Sequence, residues 1–140
     1  MRIAQFARRA LALAHRHGAQ ALVYGDEVLA RKVGGDGVHI PCQSLMQLTA
    51  RPRMPLCAAS CHNAGHLAHA AALGFDLAVL SPVLPTASHP GEPGMGWENF
   101  AELVRGHPLP VYALGGMKPE SLDTAVRHGA HGVALLSGIW

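Results

Sequence analysis

Two glycine-containing pairs in the second half of the chain have the composition of a phosphate site. Gly115-Gly116 follows an apolar run and leads into a segment where a helix is predicted to begin near Pro119, and Ser137-Gly138 repeats the arrangement after the last apolar run. Glycines at such turns let backbone N–H groups approach a phosphate, and a helix amino end favours its charge. Each pair alone is explained equally well as a turn. Together they favour a phosphate site formed by Gly115, Gly116, Ser137 and Gly138.

The longest stretch without a helix or strand pattern runs from Pro82 to Phe100 and holds four prolines and three glycines. Long loops in compact domains usually carry function, so we expect an active-site loop here. The hydroxyls of Thr86 and Ser88 and the imidazole of His89 could bind an anionic or heteroaromatic substrate. A surface loop stiffened by proline, with ordinary polar residues, is an equally good interpretation.

Two groups of residues have metal-ligand chemistry. Asp26 and Glu27 follow the first apolar run and could bind Mg²⁺, although a helix N-cap and a first-turn carboxylate explain them as well. The second group could bind zinc. Its histidines are spaced so that they would lie on one face of a helix. Over a zinc site we favour the interpretation that these histidines face solvent and that Cys57 packs in the core. It comprises Cys57, Cys61, His62, His66 and His69.

Apolar runs alternate with helix-like segments along the chain. Each Ala- and Leu-rich helical stretch ends near a glycine, as expected for the left-handed C-cap that lets a chain turn back. The runs that follow lack polar alternation, which indicates strands buried on both faces in a parallel sheet covered by helices. The sequence therefore predicts an α/β fold of six parallel strands, at 21–24, 37–40, 56–60, 77–80, 110–114 and 132–136.

The strand ends favour a (β/α) barrel over an open doubly wound sheet. Polar or small residues close nearly every run, among them Asp26, Ser60, Ser81 and Ser137. Such residues converge at the mouth of a barrel. A closed eight-stranded barrel takes about 200–250 residues, which is more than the 140 present. We therefore expect an incomplete TIM-type barrel, formed as one domain over residues 1–140.

Composition excludes several classes of protein. The chain is 49% apolar and 14% charged with a formal charge of +2, which argues against disorder and against a basic nucleic-acid groove. It has no apolar run of the roughly 20 residues that a membrane span needs. The odd number of cysteines, three, and the lack of a signal-peptide pattern indicate free thiols and a cytoplasmic location.

Several motifs in order resemble the thiamine-phosphate synthase/TenI family of barrels, in the form fused behind Nudix hydrolase domains. They are Ser-Pro-Val-Leu-Pro-Thr-Ala-Ser-His at 81–89, Gly-Met-Gly-Trp at 94–97, Val-Tyr-Ala-Leu-Gly-Gly-Met at 111–117 and the glycine-rich segment 129–140, with 34–40 and 59–62 also fitting. The resemblance covers essentially the whole chain. It implies a barrel from its third strand onward, with the first two strands missing.

The resemblance also implies a reaction and roles for residues. The family is a transferase that joins hydroxymethylpyrimidine diphosphate to a thiazole phosphate, with Mg²⁺ on the leaving diphosphate. By position, Gly115, Gly116, Ser137 and Gly138 would hold the thiazole phosphate. Thr86, Ser88 and Ser60 would act near the reacting groups, and Asp26 would bind Mg²⁺. The sequence departs from the family pattern at three positions: Gly25 replaces an asparagine, Ser44 the second Mg²⁺ aspartate and His89 the loop lysine.

Three hypotheses follow. The chain is a domain of thiamine biosynthesis that binds or condenses these phosphate esters, or a non-catalytic module that senses a thiamine-related phosphate, or a fragment that needs another chain. In every case the unpaired edges of the first and last strands would face water. We therefore expect a homodimer or association with another chain.

Overall fold

The computed structural model describes residues 2–138, so Met1 and the last two residues of the 129–140 motif lie outside the described part. Helices and strands alternate as predicted, with β1 to β6 in chain order. The strands are β1 Leu22–Tyr24, β2 Gly37–Ile40, β3 Leu56–Cys61, β4 Leu77–Leu80, β5 Val111–Ala113 and β6 Gly132–Val133. The helices are α1 Arg2–Arg16, α2 Glu27–Val33, α3 Cys42–Gln47, α4 Ala64–Ala72, α5 Gly96–Val104 and α6 Leu122–Arg127, the last preceded by a 3₁₀ turn at Pro119–Ser121.

All six strands join one parallel sheet in the order β1-β2-β3-β4-β5-β6. Every strand thus pairs with its neighbour in the sequence, as it does in a (β/α) barrel. The prediction of six parallel strands alternating with helices in a TIM-like arrangement is confirmed. Among the described residues, β1 and β6 are the two edges of the sheet.

Local sequence explains where the helices begin and end. Asp26 is the N-cap of α2, and its carboxylate accepts a hydrogen bond from the N–H of Leu29 at 2.8 Å. Asn63 caps α4 in the same way, through the N–H of His66 at 2.9 Å. Gly34 ends α2 with a φ of 70°, the left-handed C-cap expected from the sequence.

The hydrophobic core lies between the sheet and its helices. Alternate residues of the strands, such as Val38, Cys57 and Leu80, are buried there, and Leu67 and Phe100 pack from α4 and α5. Because side chains alternate along a strand, the intervening residues face the other side of the sheet. That inner face is less covered: Val79 and Tyr112 are half-buried and Tyr24 is exposed.

The bounds of β1, β3 and β5 differ from the predicted ones by one residue at one or both ends, and two larger differences concern β6 and His62. The last strand ends at Val133 instead of residue 136, because only β5 pairs with it and Ala134 makes the final bond, to the Ala113 carbonyl. His62 does not belong to helix α4, which starts only after the Asn63 cap. No helix among residues 2–138 is long and apolar enough to cross a membrane.

Candidate functional site

A cavity of about 510 Å³ lies at the carboxyl ends of β4, β5 and β6. The loops that follow these three strands form most of its wall. Seven of the nine residues predicted for the site line it together: Thr86, Ser88, His89, Gly115, Gly116, Ser137 and Gly138. The structure therefore brings these seven residues together around one cavity.

The glycines allow the three loops to approach one another closely. Gly115 has a φ of 110°, and a Cβ built there would lie 2.8 Å from the Cα of Pro82. Gly116 has a φ of 69°, and its Cβ would lie 2.9 Å from the Cβ of Leu84. A Cβ on Gly138 would collide with the carbonyl oxygen of Met117. Side chains at these positions would therefore displace the cavity wall.

The same loops present hydrogen-bond donors that the described protein does not use. Among residues 2–138, the backbone N–H groups of Gly115, Gly116 and Ser137 have no acceptor. Unpaired backbone N–H groups beside a cavity are suited to bind the oxygens of an anion. This is the chemistry that the glycine pairs predicted.

The long loop supplies hydroxyl and imidazole groups to the opposite wall. The Thr86 hydroxyl accepts a hydrogen bond from the His89 N–H at 3.2 Å, which leaves its own proton available to a ligand. The loop is joined to its own start by Met95 and Gly96, whose N–H groups donate to the carbonyls of Pro82 and Val83 at 2.9 and 2.8 Å. Its end is thereby fixed beside the cavity.

Sequence reasoning missed three charged or titratable residues of the cavity, namely His62, Glu92 and Lys118. The Nδ1 of His62 lies 2.9 Å from the carbonyl oxygen of Ser81. A carbonyl only accepts, so this contact assigns the proton to Nδ1. The sequence positions could have indicated two of them, since His62 directly follows β3 and Lys118 follows Gly115-Gly116. The prediction that His62 lies on a helical face placed it away from this end of the sheet.

Ser60 is not among the residues that line the cavity. Its hydroxyl lies 2.7 Å from the Nε2 of His39, on the inner face of the sheet, and the ring of Tyr24 stacks on His39 at 5.8 Å. Burial lowers the pKa of His39, which favours the neutral imidazole. A neutral imidazole can accept the proton of the serine hydroxyl.

Asp26 also lies outside the cavity lining, where it acts as the cap of α2. Ser44 offers a hydroxyl where the family pattern has a carboxylate. Within residues 2–138, no group of three or more His, Cys, Asp or Glu residues could hold a metal ion. The described residues therefore do not fit a preassembled Mg²⁺ site.

The structure does not assemble the alternative zinc site among residues 2–138. Cys57 and Cys61 are buried in the core, and burial raises the pKa of the Cys61 thiol to about 12. Such a thiol does not supply a thiolate at neutral pH. The Nε2 of His69 lies 3.0 Å from the Leu48 carbonyl oxygen, whereas His66 accepts the N–H of His62 at 3.0 Å. The interpretation of Cys57 as a core residue is confirmed.

Comparisons of the sequence with known proteins all point to one family. The profile of the thiamine monophosphate synthase family matches residues 1–139. A putative thiamine-phosphate synthase of Geobacter sulfurreducens is 36% identical over 140 residues, covering 96% of this chain and 65% of the relative. A thiamine-phosphate synthase of Thioalkalivibrio sulfidiphilus is 34% identical, covering 97% of this chain and 66% of the relative. The chain thus spans about two thirds of the length of these relatives.

Solved structures support the fold. Thiamine phosphate pyrophosphorylase from Pyrococcus furiosus superposes with a TM-score of 0.78 at 20% identity, over 97% of this chain and 66% of that one. A structure titled native KDPGal superposes with a TM-score of 0.66 at 17% identity, over 94% and 63% of the two chains. At these identities the likeness concerns the fold alone. The profile match over residues 1–139 and the identities of the relatives carry the assignment, and the chain belongs to the thiamine monophosphate synthase family.

Proposed function

We propose that this chain is a thiamine-phosphate synthase-like domain of thiamine biosynthesis that binds a thiazole phosphate at the cavity beyond β4, β5 and β6. One observation carries the proposal: backbone N–H groups without described acceptors meet at this cavity, on the loops of Gly115-Gly116 and Ser137. These donors suit the oxygens of a phosphate monoester. The family membership of the chain supplies the substrate class.

In this proposal the long loop lies over the organic part of the substrate. Thr86 and Ser88 donate hydroxyl hydrogen bonds, and His89 adds an imidazole to the same wall. Ser60 acts from the inner face of the sheet, where its bond to His39 sets the direction of its hydroxyl. The second substrate would be the hydroxymethylpyrimidine diphosphate of the family reaction.

The family reaction also involves a metal ion. The family implies Mg²⁺, and the one predicted ligand, Asp26, caps α2 through Oδ1, which leaves its Oδ2 for a metal, while no group of three His, Cys, Asp or Glu residues that could hold a metal lies among residues 2–138. We therefore expect the thiazole phosphate to bind without a metal ion. This observation favours a second candidate function, a non-catalytic module that binds a thiamine-related phosphate.

We further propose that residues 1–140 form one domain, because all six strands belong to a single sheet. They correspond in this proposal to the family barrel from its third strand onward, as in the form fused to Nudix domains.

A cytoplasmic location is proposed because Cys42, Cys57 and Cys61 are free thiols.

Isothermal calorimetry with 4-methyl-5-hydroxyethylthiazole phosphate and with thiamine phosphate tests the binding proposal. We expect binding with and without Mg²⁺, and its loss in Gly116→Val, whose side chain would meet Leu84 and Pro85. Gly74→Val is the matched control, since Gly74 also has a positive φ (80°) but no atom within 4 Å of its Cβ position. No binding by the folded wild type, or equal binding by both variants, would refute the site.

A turnover assay separates the enzyme from the binding module. Both family substrates are supplied with Mg²⁺, and thiamine phosphate formation is followed by chromatography. An enzyme forms product and loses rate in Asp26→Asn if that carboxylate binds Mg²⁺. Binding of thiazole phosphate without any product supports the non-catalytic module.

A further inference from the structure

Lys118 is the one lysine among the residues that line the cavity. The whole sequence has only two lysines, and the other, Lys32, lies on α2 away from this wall. Lys118 follows Gly115-Gly116 by two residues, so it belongs to the loop that presents the unused N–H groups. Nothing in the composition or in the glycine pattern had singled it out.

The backbone of Lys118 is fixed next to the predicted phosphate donors. Its N–H donates to the hydroxyl of Ser121 at 3.0 Å. On the other side, a Cβ built on Gly138 would lie 3.4 Å from the Cα of Lys118, so the loop after β6 touches the loop after β5 at this residue. Lys118 therefore lies where the loops of Gly116 and Ser137 meet.

The ammonium group of Lys118 is not neutralised by the described protein. Among residues 2–138, no carboxylate oxygen lies within 4 Å of it, whereas Arg31 and Arg51 pair with Glu27 and Asp76. Glu92 is the only carboxylate among the lining residues. The cavity thus has a lysine without a close counter-charge and two histidines, His62 and His89, against one exposed glutamate.

We propose that Lys118 binds the phosphate group of the ester directly and makes the cavity selective for phosphorylated over unphosphorylated ligands. A lysine on the loop that carries several N–H donors suits a doubly charged phosphate, because each oxygen then receives a hydrogen bond and the charge receives a partner. This inference rests on the proposed function, since it assigns the cation of that same site.

Calorimetry on two matched variants tests the inference. Lys118→Met removes the charge and keeps the length of the side chain, and Lys32→Met does the same on α2. We expect Lys118→Met to weaken thiazole phosphate binding about tenfold and to leave binding of the unphosphorylated thiazole alcohol unchanged. Lys32→Met should bind both ligands as the wild type does, and Lys118→Arg should retain most of the phosphate affinity.

A second readout uses the small number of lysines. Reductive methylation with ¹³C-formaldehyde keeps the positive charge and gives one resonance for each lysine and one for the amino terminus. We expect thiazole phosphate to shift the resonance that is absent in Lys118→Met, and to leave the Lys32 resonance in place. The alcohol should shift neither.

The outcomes distinguish the two proposals. If the wild type binds the phosphate and Lys118→Met binds it as tightly as Lys32→Met does, the role of Lys118 is refuted and the phosphate site stands. If the wild type does not bind the phosphate at all, both proposals fail.

Discussion

At the scale of single residues, the burial of His39 makes stability depend on pH. Burial lowers the pKa of His39, so the folded protein resists its protonation more than the unfolded chain does. Protons then favour unfolding as the pH falls below the ordinary histidine pKa of about 6.5. Above that pH, this contribution is constant.

The prediction concerns His39→Gln. Glutamine can still bond to the Ser60 hydroxyl but does not titrate, so the free energy of unfolding should fall less between pH 7.5 and pH 5.5 than in the wild type. Urea unfolding at the two pH values measures this difference. His17→Gln, at the exposed end of α1, is the control and should keep the wild-type slope. Equal slopes for His39→Gln and the wild type would contradict the argument.

At the scale of elements, the sequence predicted all six strands, and its bounds were furthest from the structure at the last one. The bounds of β2 and β4 are those predicted, since both are short apolar runs preceded by a turn glycine and paired on two sides. The strand β6 was predicted three residues too long, because Leu135 and Leu136 are apolar but lack a second neighbouring strand. An apolar run predicts that a segment is buried. At the edge of a sheet, a strand extends only as far as a neighbouring strand pairs with it, and the local sequence does not show where that pairing ends.

The sequence predicted those lining residues whose position depends only on the loop that follows a strand. Gly116 and Thr86 lie in the loops that follow β5 and β4, and the parallel topology brings such loops to the same end of the sheet. Ser60 lies within β3 and bonds to His39 across the inner face, which depends on the pairing of strands. Asp26 had two interpretations; it does cap α2, and its role as a Mg²⁺ ligand stays a prediction.

The long loop and the helix after it form a further testable element. Trp97, in the first turn of α5, stacks on His128 with centroids 5.2 Å apart and meets Phe100 edge-on at 5.6 Å. These contacts tie the end of the loop to α6. Since Trp97 is half-buried, Trp97→Ala should destabilise the fold by about 2 kcal/mol, somewhat below the range for fully buried aromatics.

Urea unfolding measures that loss, and limited proteolysis locates it. Trp97→Ala should be cleaved faster between residues 85 and 95 than the wild type, because the loop loses its anchor. Trp97→Phe keeps the aromatic contacts and should lie between the two. Unchanged cleavage in Trp97→Ala would show that the backbone bonds of Met95 and Gly96 hold the loop alone.

At the scale of the whole molecule, helix α1 presents an exposed apolar face. On α1, Ile3 and Phe6 are 70% and 74% exposed and Leu13 is 54% exposed, and all three lie on one helical face. Tyr24, on the edge strand β1, is 68% exposed. Exposed apolar side chains on one helical face, in a fold whose first strand has an unpaired edge, are typical of an interaction surface.

We propose that a second copy of the chain covers this surface. Sedimentation of the wild type at micromolar concentration should then give a dimer. Burying one phenylalanine side chain contributes about 1.5–3 kcal/mol, so Phe6→Ser should weaken association at least about tenfold. Met46→Ser removes an apolar side chain that is 45% exposed on α3, outside this surface, and should leave the dimer intact. A wild-type monomer would refute self-association and leave a different chain as the partner of this face.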